Sequence, residues 1–276
     1  MSEQRYQVED LLYLMARLRD PQSGCPWDLQ QDFHSIVPHT LEEAYEVADA
    51  IERKAWDELP GELGDLLFQV VYYAQFGQEQ ERFGFADVVD GIVRKLVRRH
   101  PHVFPGGDLR ASHDGQTVAS EEVPGQWQAI KAQEKREQGR DDAASVLADV
   151  PLNLPAMTRA VKLQKKAART GFDWDGPEPV LAKIHEELAE VHEALASGSH
   201  QALEHEIGDL LFAVTNLARH AGIDPEQAVR GTNQRFCQRF AHIEQQVAGS
   251  GRQLEDCSLQ ELDALWDEAK RVLSRA

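Results

Sequence analysis

The chain has 276 residues, of which 42% are hydrophobic and 28% charged, and a formal net charge of −18. That length suits one large domain or two of ordinary size, and the composition suits a soluble globular protein with a real core. The charge excludes a basic stripe of the kind that binds nucleic-acid polymers, but small phosphate ligands stay open because a bound divalent cation reverses the local sign.

Cys25, Cys237 and Cys257 form no C-x-x-C pair and are odd in number. That pattern predicts free thiols in a reducing compartment, with neither a disulfide framework nor a zinc site. The opening MSEQRYQVEDLL has no basic stretch followed by an apolar core, so no signal peptide is read. The longest apolar runs, Leu66–Ala74 and Leu210–Ala218, are too short to span a bilayer and are interrupted by Gln69 and Asn216. The expectation is a cytoplasmic protein.

In chain order, apolar spacing predicts a helix over Val8–Arg19, with Leu11, Leu12, Met15 and Leu18 on one face. Pro21–Asp28 (PQSGCPWD) reads as a loop from its Pro and Gly content. A helix from Pro38 or Thr40 to Arg53 follows, then one from Pro60 to Gly77, where Pro fits the first turn. Ala86–Arg99 is a further helix ending in a basic turn, Pro101–Pro124 is a loop, and Gln126–Gln138 is a short helix. The polar stretch 139–149 is the expected linker between domains 1–138 and 150–276. In the second domain Leu154–Thr170 has a basic face of Lys162, Lys165, Lys166 and Arg169, and TGFDWD echoes the earlier GCPWD. Helices over Pro179–Ala196, His200–Ala221, Asp224–Ala248 and Ser258–Ser274 complete the chain. Asp224 is an N-cap before Pro225, and Ser258 with Glu261 forms a capping box. No period-two strand is found. The predicted fold class is all-α.

An internal repeat carries the chemistry. Glu42, Glu43, Glu46, Glu62, Gly64 and Asp65 recur 144 positions later as Glu186, Glu187, Glu190, Glu206, Gly208 and Asp209. Residues three apart share a helix face, so each helix presents a pair of carboxylates, and an antiparallel hairpin brings the pairs together. Four clustered carboxylates repel one another unless cations compensate them, and hard oxygen ligands suit magnesium or manganese. The competing reading is a solvated acidic face. Against it, Glu52, Arg53, Lys54, Asp57 and Glu58 between the acids become Ala196, Ser197, Gly198, Gln201 and Ala202, whereas the acids persist. Gly64 and Gly208 are unfavourable within a helix by about 1 kcal/mol, and their repetition predicts close helix approach. A di-iron carboxylate bundle would use Glu-x-x-His, yet none of the eleven His has Glu three residues before it.

With LEEAYE (41–46) before ELGD (62–65), and HEELAE (185–190) before EIGD (206–209), both across gaps of 15 residues, the chain resembles tandem-domain MazG proteins of the all-α NTP pyrophosphatase group. GCPWD (24–28), RKLVRRHPHVF (94–104), TGFDW (170–174), NQRFCQRF (233–240) and LWDEAK (265–270) extend the resemblance over nearly the full length. The resemblance implies two MazG-like helical bundles and magnesium-dependent hydrolysis of nucleoside triphosphates, ATP among them, to the monophosphate and pyrophosphate. It implies Glu187, Glu190, Glu206 and Asp209 as metal ligands and Glu186 as a residue that holds a ligand indirectly or positions water. Lys183, Arg235 and Arg239 match phosphate-contacting positions, although Arg235 stands where Lys is usual. Trp266 is the candidate base-stacking residue, with helix packing as its alternative, and Phe172, Trp174 and Asn233 are candidate pocket residues. Glu43, Glu46, Glu62 and Asp65 are a second candidate metal site.

The resemblance implies that the second half is the catalytic one and that the first serves structure and dimerisation; the closing Trp266 helix and the basic Lys162–Arg169 helix, read only in the second half, agree with that. A homodimer is expected from the amphipathic helices. The alternatives are a narrower dUTP or alarmone hydrolase on the same site and a non-enzymatic helical partner-binding protein.

Overall fold

The computed structural model describes residues 5–111 and 145–273 and, between them, Gly125, Trp127, Ile130, Gln133, Glu134 and Glu137. Among the described residues the chain is helical and turn-linked, without a strand, and it divides into two compact units, Met1–Gln138 and Gly139–Ala276.

The first unit contains α1 (Val8–Leu18), α2 (Pro26–Leu29), α3 (Val37–Arg53), α4 (Leu59–Glu79) and α5 (Phe85–Arg99). The short α2 corrects the expected loop over Pro21–Asp28: Pro26 sits in the first turn, where its missing N–H costs no hydrogen bond. The expected loop 101–124 contains a short 3-10 turn, Pro105–Gly107, and residues 112–124 lie outside the described ones. The expected helix over Gln126–Gln138 lies partly outside them as well. Its described members Trp127, Ile130, Gln133, Glu134 and Glu137 are helical.

Helix α4 is the centre of this unit, packed by α1, α3 and α5. It buries Gln69, Val71, Tyr72, Ala74, Phe76 and Gly77. Met15, Ile36, Val71, Tyr72 and Phe76 form the core, with Leu11, Leu12, Phe33 and Phe68 against it. The Tyr72 hydroxyl donates to buried Asp28 at 2.6 Å, so the CPWD segment is pinned to α4.

The second unit contains α6 (Ala156–Ala168), α7 (Pro177–Ser197), α8 (His200–His220), α9 (Pro225–Gly249) and α10 (Leu259–Leu273). Of the expected linker 139–149, residues 139–144 lie outside the described ones, and Val146–Asp149 form a turn. Here α8 is the centre, packed chiefly by α7 and α6, and α10 lies along α9. Both expected caps are present. Asp224 accepts from the Gln227 N–H at 3.1 Å, and Ser258 and Glu261 bond reciprocally at 2.8 and 3.3 Å.

Within each unit one helical hairpin carries the acids. Lys54 ends α3 in the left-handed region at φ 58°, and Gly198 ends α7 there at φ 69°. Glycine adopts that conformation without a Cβ penalty, so the second hairpin turns more cheaply. The expected close approach at Gly64 and Gly208 is absent: an added Cβ at either would meet nothing within 4 Å. Both glycines face outward.

Candidate active site

In the second unit the face of α7 bearing Lys183, Glu187 and Glu190 meets the first turns of α8. Ligand atoms of Glu187, Glu190 and Glu206 all lie within 4.8 Å of one another. Glu206 also belongs to a second group of the same tightness, with His205 and Asp209. The four expected acids are therefore brought together as two triads that share Glu206. His205 was not expected. Its position four residues before Asp209 was the available signal, since such residues are neighbours on a helix.

Glu187 is only 5% exposed, and its Oε2 has no hydrogen-bond partner among the described residues. Its Oε1 pairs with Lys183 Nζ at 2.7 Å, and the same ammonium reaches Glu186 Oε1 at 2.8 Å. Hydrogen bonds to Glu186 and Glu187 hold Lys183 protonated well above the ordinary lysine range. Burial, then the hydrogen bond and charge of Glu187, push the Glu190 carboxyl up. One ammonium thus faces a larger carboxylate set, and a buried acceptor atom is left over. A hard, oxygen-coordinated cation fits that residue set.

Of the expected phosphate and base contacts, Lys183 lies among the acids, and Arg235, Arg239 and Trp266 lie on α9 and α10. Arg235 donates to Thr232 Oγ1 at 2.8 Å. The Arg239 guanidinium lies 5.5 Å from the centre of the Trp266 ring, which packs at 5.2 Å against Phe236. Among the described residues, neither guanidinium is paired with a carboxylate. Trp266 thus packs against Phe236, the alternative expected for it, and carries a cation near its ring.

A cavity of about 540 Å³ opens between α6, α8 and the GFDW loop. Phe172 and Trp174 line it, as expected for pocket residues, together with Phe212, Gln164, Asn216 and Arg219. Asn233 is not part of the lining. Gln164 Nε2 donates to the Phe212 carbonyl at 3.0 Å, which fixes the amide and leaves its buried Oε1 unpartnered. Arg219 holds Asp173 in a fork and also donates to Asn216 Oδ1 at 2.8 Å. The cavity depends on which side chains fill the space between two helices, which sequence motifs do not carry.

In the first unit Glu43, Glu62 and Asp65 come within 4.8 Å of one another. Glu46 touches Glu43 without joining the triad. Burial, then the charge of Asp65 and the hydrogen bond with Glu46, raise the Glu43 carboxyl. Buried Gln69 reaches Glu43 at 3.4 Å. The closing tryptophan is not confined to the second half: Trp127 packs edge-on against His100 at 5.1 Å.

Each of the two helical units thus carries a paired acidic hairpin, in the second with the orphaned buried oxygen of Glu187, a carboxylate set that could hold a cation on an all-α scaffold. The MazG nucleotide pyrophosphohydrolase domain matches twice, at residues 31–104 and 175–243, and the chain belongs to that family. It is 47% identical over 267 residues to the nucleoside triphosphate pyrophosphohydrolase of Escherichia coli strain K12, covering 96% of this chain and 97% of that one. It is 39% identical over 273 residues to the Thermotoga maritima protein named nucleoside triphosphate pyrophosphohydrolase/pyrophosphatase MazG, covering 98% of both. A Mycolicibacterium smegmatis nucleoside triphosphate pyrophosphohydrolase is 37% identical over 165 residues, 59% of this chain and 46% of that protein.

Proposed function

We propose that this chain is a nucleoside triphosphate pyrophosphohydrolase that uses magnesium to convert NTPs and dNTPs of varied base to the monophosphate and pyrophosphate. The observation that carries the proposal is buried Glu187, which forms one triad with Glu190 and Glu206 and has one oxygen on Lys183 and the other unpartnered among the described residues. The family membership and the names of the full-length relatives support it.

Glu187, Glu190, Glu206 and Asp209 would hold the metal, with manganese as the substitute. When bound, a divalent cation there would supply Lewis-acid stabilisation of phosphate oxygens. Lys183 pairs with Glu187 at 2.7 Å and places a positive charge at the edge of the acid set. Glu186, bonded to the same ammonium, is positioned to orient water. Arg235 and Arg239, without carboxylate partners among the described residues, would take the leaving phosphates. Asn216 follows Asp209 by seven residues on one helix face, a rise of about 10 Å. The cavity walled by Phe172, Trp174 and Phe212 therefore lies along the same face as the acids, where it would take the base, with Trp266 closing the nucleotide from α10.

The chain also fits a homodimer. Ile207, Leu211 and Val214 form an exposed apolar stripe on α8, and Leu63, Leu67 and Val70 repeat it on α4. Such stripes are what a second copy covers. Among the described residues no helix is long and apolar enough to cross a membrane.

Phosphorus NMR of the products from a magnesium–NTP mixture tests the activity. The expected products are nucleoside monophosphate and pyrophosphate in equal amounts. Nucleoside diphosphate and orthophosphate would contradict the proposal.

A further inference from the structure

The acid set of the second unit has a neighbour that no carboxylate pattern predicts. His205 Nδ1 lies 3.2 Å from Asp209 Oδ2 and 3.6 Å from Glu206 Oε1. The corresponding residue of the first unit, 144 positions earlier, is Gly61, so the first acid set has no such nitrogen. Three acceptor-bearing groups converge here, because an imidazole Nδ1 without a proton presents a lone pair. Lone pairs from Nδ1 and two carboxylates repel unless a proton or a cation sits between them. Glu206 also belongs to the neighbouring triad with Glu187 and Glu190, so this cluster is continuous with a buried carboxylate, Glu187, one of whose oxygens has no partner among the described residues.

We infer that His205 is a nitrogen donor to a divalent cation held by Glu206 and Asp209, and that it tilts the metal choice of this chain from magnesium toward manganese or cobalt. The inference rests on reading the acids as the metal site. Magnesium prefers oxygen donors and retains water, whereas imidazole suits the later first-row ions. Exchanging one oxygen donor for a ring nitrogen therefore changes selectivity more than total affinity. Glu206, common to both triads, would let one carboxylate serve both positions.

The experiment uses the full chain with metal alone and no nucleotide. Manganese binding is followed by electron spin resonance, with echo modulation reporting any nitrogen bound to the ion, and magnesium binding is followed by calorimetry. The expected result is a nitrogen coupling in the unaltered protein that is lost in His205→Gln. Manganese affinity should fall on the order of tenfold in that variant, while magnesium affinity changes much less. His205→Glu, which puts an oxygen donor in place of the nitrogen, should shift the manganese-to-magnesium ratio toward magnesium without the nitrogen coupling, and thermal melting of both variants checks that they fold. If the coupling is absent from the unaltered protein, or persists in His205→Gln, the inference is overturned. An unchanged manganese-to-magnesium ratio also overturns it and leaves an ordinary helical His–Asp pair. If neither ion binds the unaltered protein, the metal reading of the acids fails with it.

Discussion

The two units carry the same acids but surround them differently. In the first, His39 stands where the second has Lys183 and lies 3.6 Å from Glu42. Gln69 occupies the position of Ala213 and reaches Glu43. Tyr72 and Phe76, 1% and 2% exposed, take the positions of Asn216 and His220 and build the core. Where the second unit leaves a cavity of about 540 Å³, the first packs aromatic rings. The basic turns differ in the same direction. Glu134 holds Arg99 through a fork at 3.2 and 2.5 Å and also pairs with Arg98 at 2.5 Å, whereas Arg239, within α9, lies over Trp266 without a carboxylate partner among the described residues. A repeated acid motif is therefore not by itself an active site. Its neighbours decide whether charge is left over for a ligand, and on this account they favour the second unit.

Substitutions at three places put that comparison under strain. The largest effect is expected from Lys183→Met, which removes the cation beside Glu187. Turnover of magnesium–NTP should fall on the order of a hundredfold, as for loss of one charge-stabilising donor, while His39→Met should leave it nearly unchanged. Similar losses in both variants would erase the distinction between the units.

Next in size is Tyr72→Asn, which writes the residue of the second unit into the first. It deletes a buried ring and the hydrogen bond to Asp28, at a cost of about 3 kcal/mol in urea unfolding. The reverse change, Asn216→Tyr, should cost far less stability but fill the cavity and raise KM for nucleotides. Equal destabilisation by the two would mean that the cavity is not spare space.

The smallest effect is at Asp173. Hydrogen bonds from Arg219 hold its carboxyl below the usual aspartate range, helped by the Trp174 N–H and by His220. A depressed folded-state pKa contributes stability that is present above the unfolded value of about 3.9 and is lost as pH falls through the folded value. Asp173→Asn should therefore be less stable by roughly 1–2 kcal/mol at pH 7, and the gap should close below about pH 4. A gap that stays constant with pH would show that the ion pair is not its source.

Much of this architecture is legible from the residues because helices announce themselves locally. The 3.6-residue spacing of Leu11, Met15 and Leu18, the Pro residues opening helices and the Asp224 and Ser258 caps place the elements to within a residue or two. The repeat at 144 positions exposes both acid sets without any structure. Long-range packing is not legible in this way. Whether Tyr72 or Asn216 fills the space beside its partner helix depends on contacts with a segment more than 40 residues away. The glycines at 64 and 208 read as close contacts but face open space. His205 escaped because the search for histidine ligands followed the order Glu-x-x-His, whereas the order here is His-Glu-x-x-Asp.

The most direct test compares pyrophosphate release from magnesium–NTP by two double variants, Glu206→Ala with Asp209→Ala and Glu62→Ala with Asp65→Ala. A metal-held phosphate contact is worth several kcal/mol, or roughly a hundredfold to a thousandfold in rate. The account predicts that the first variant loses at least that much and that the second retains most of the activity. Full activity in the first variant, with loss in the second, would contradict it.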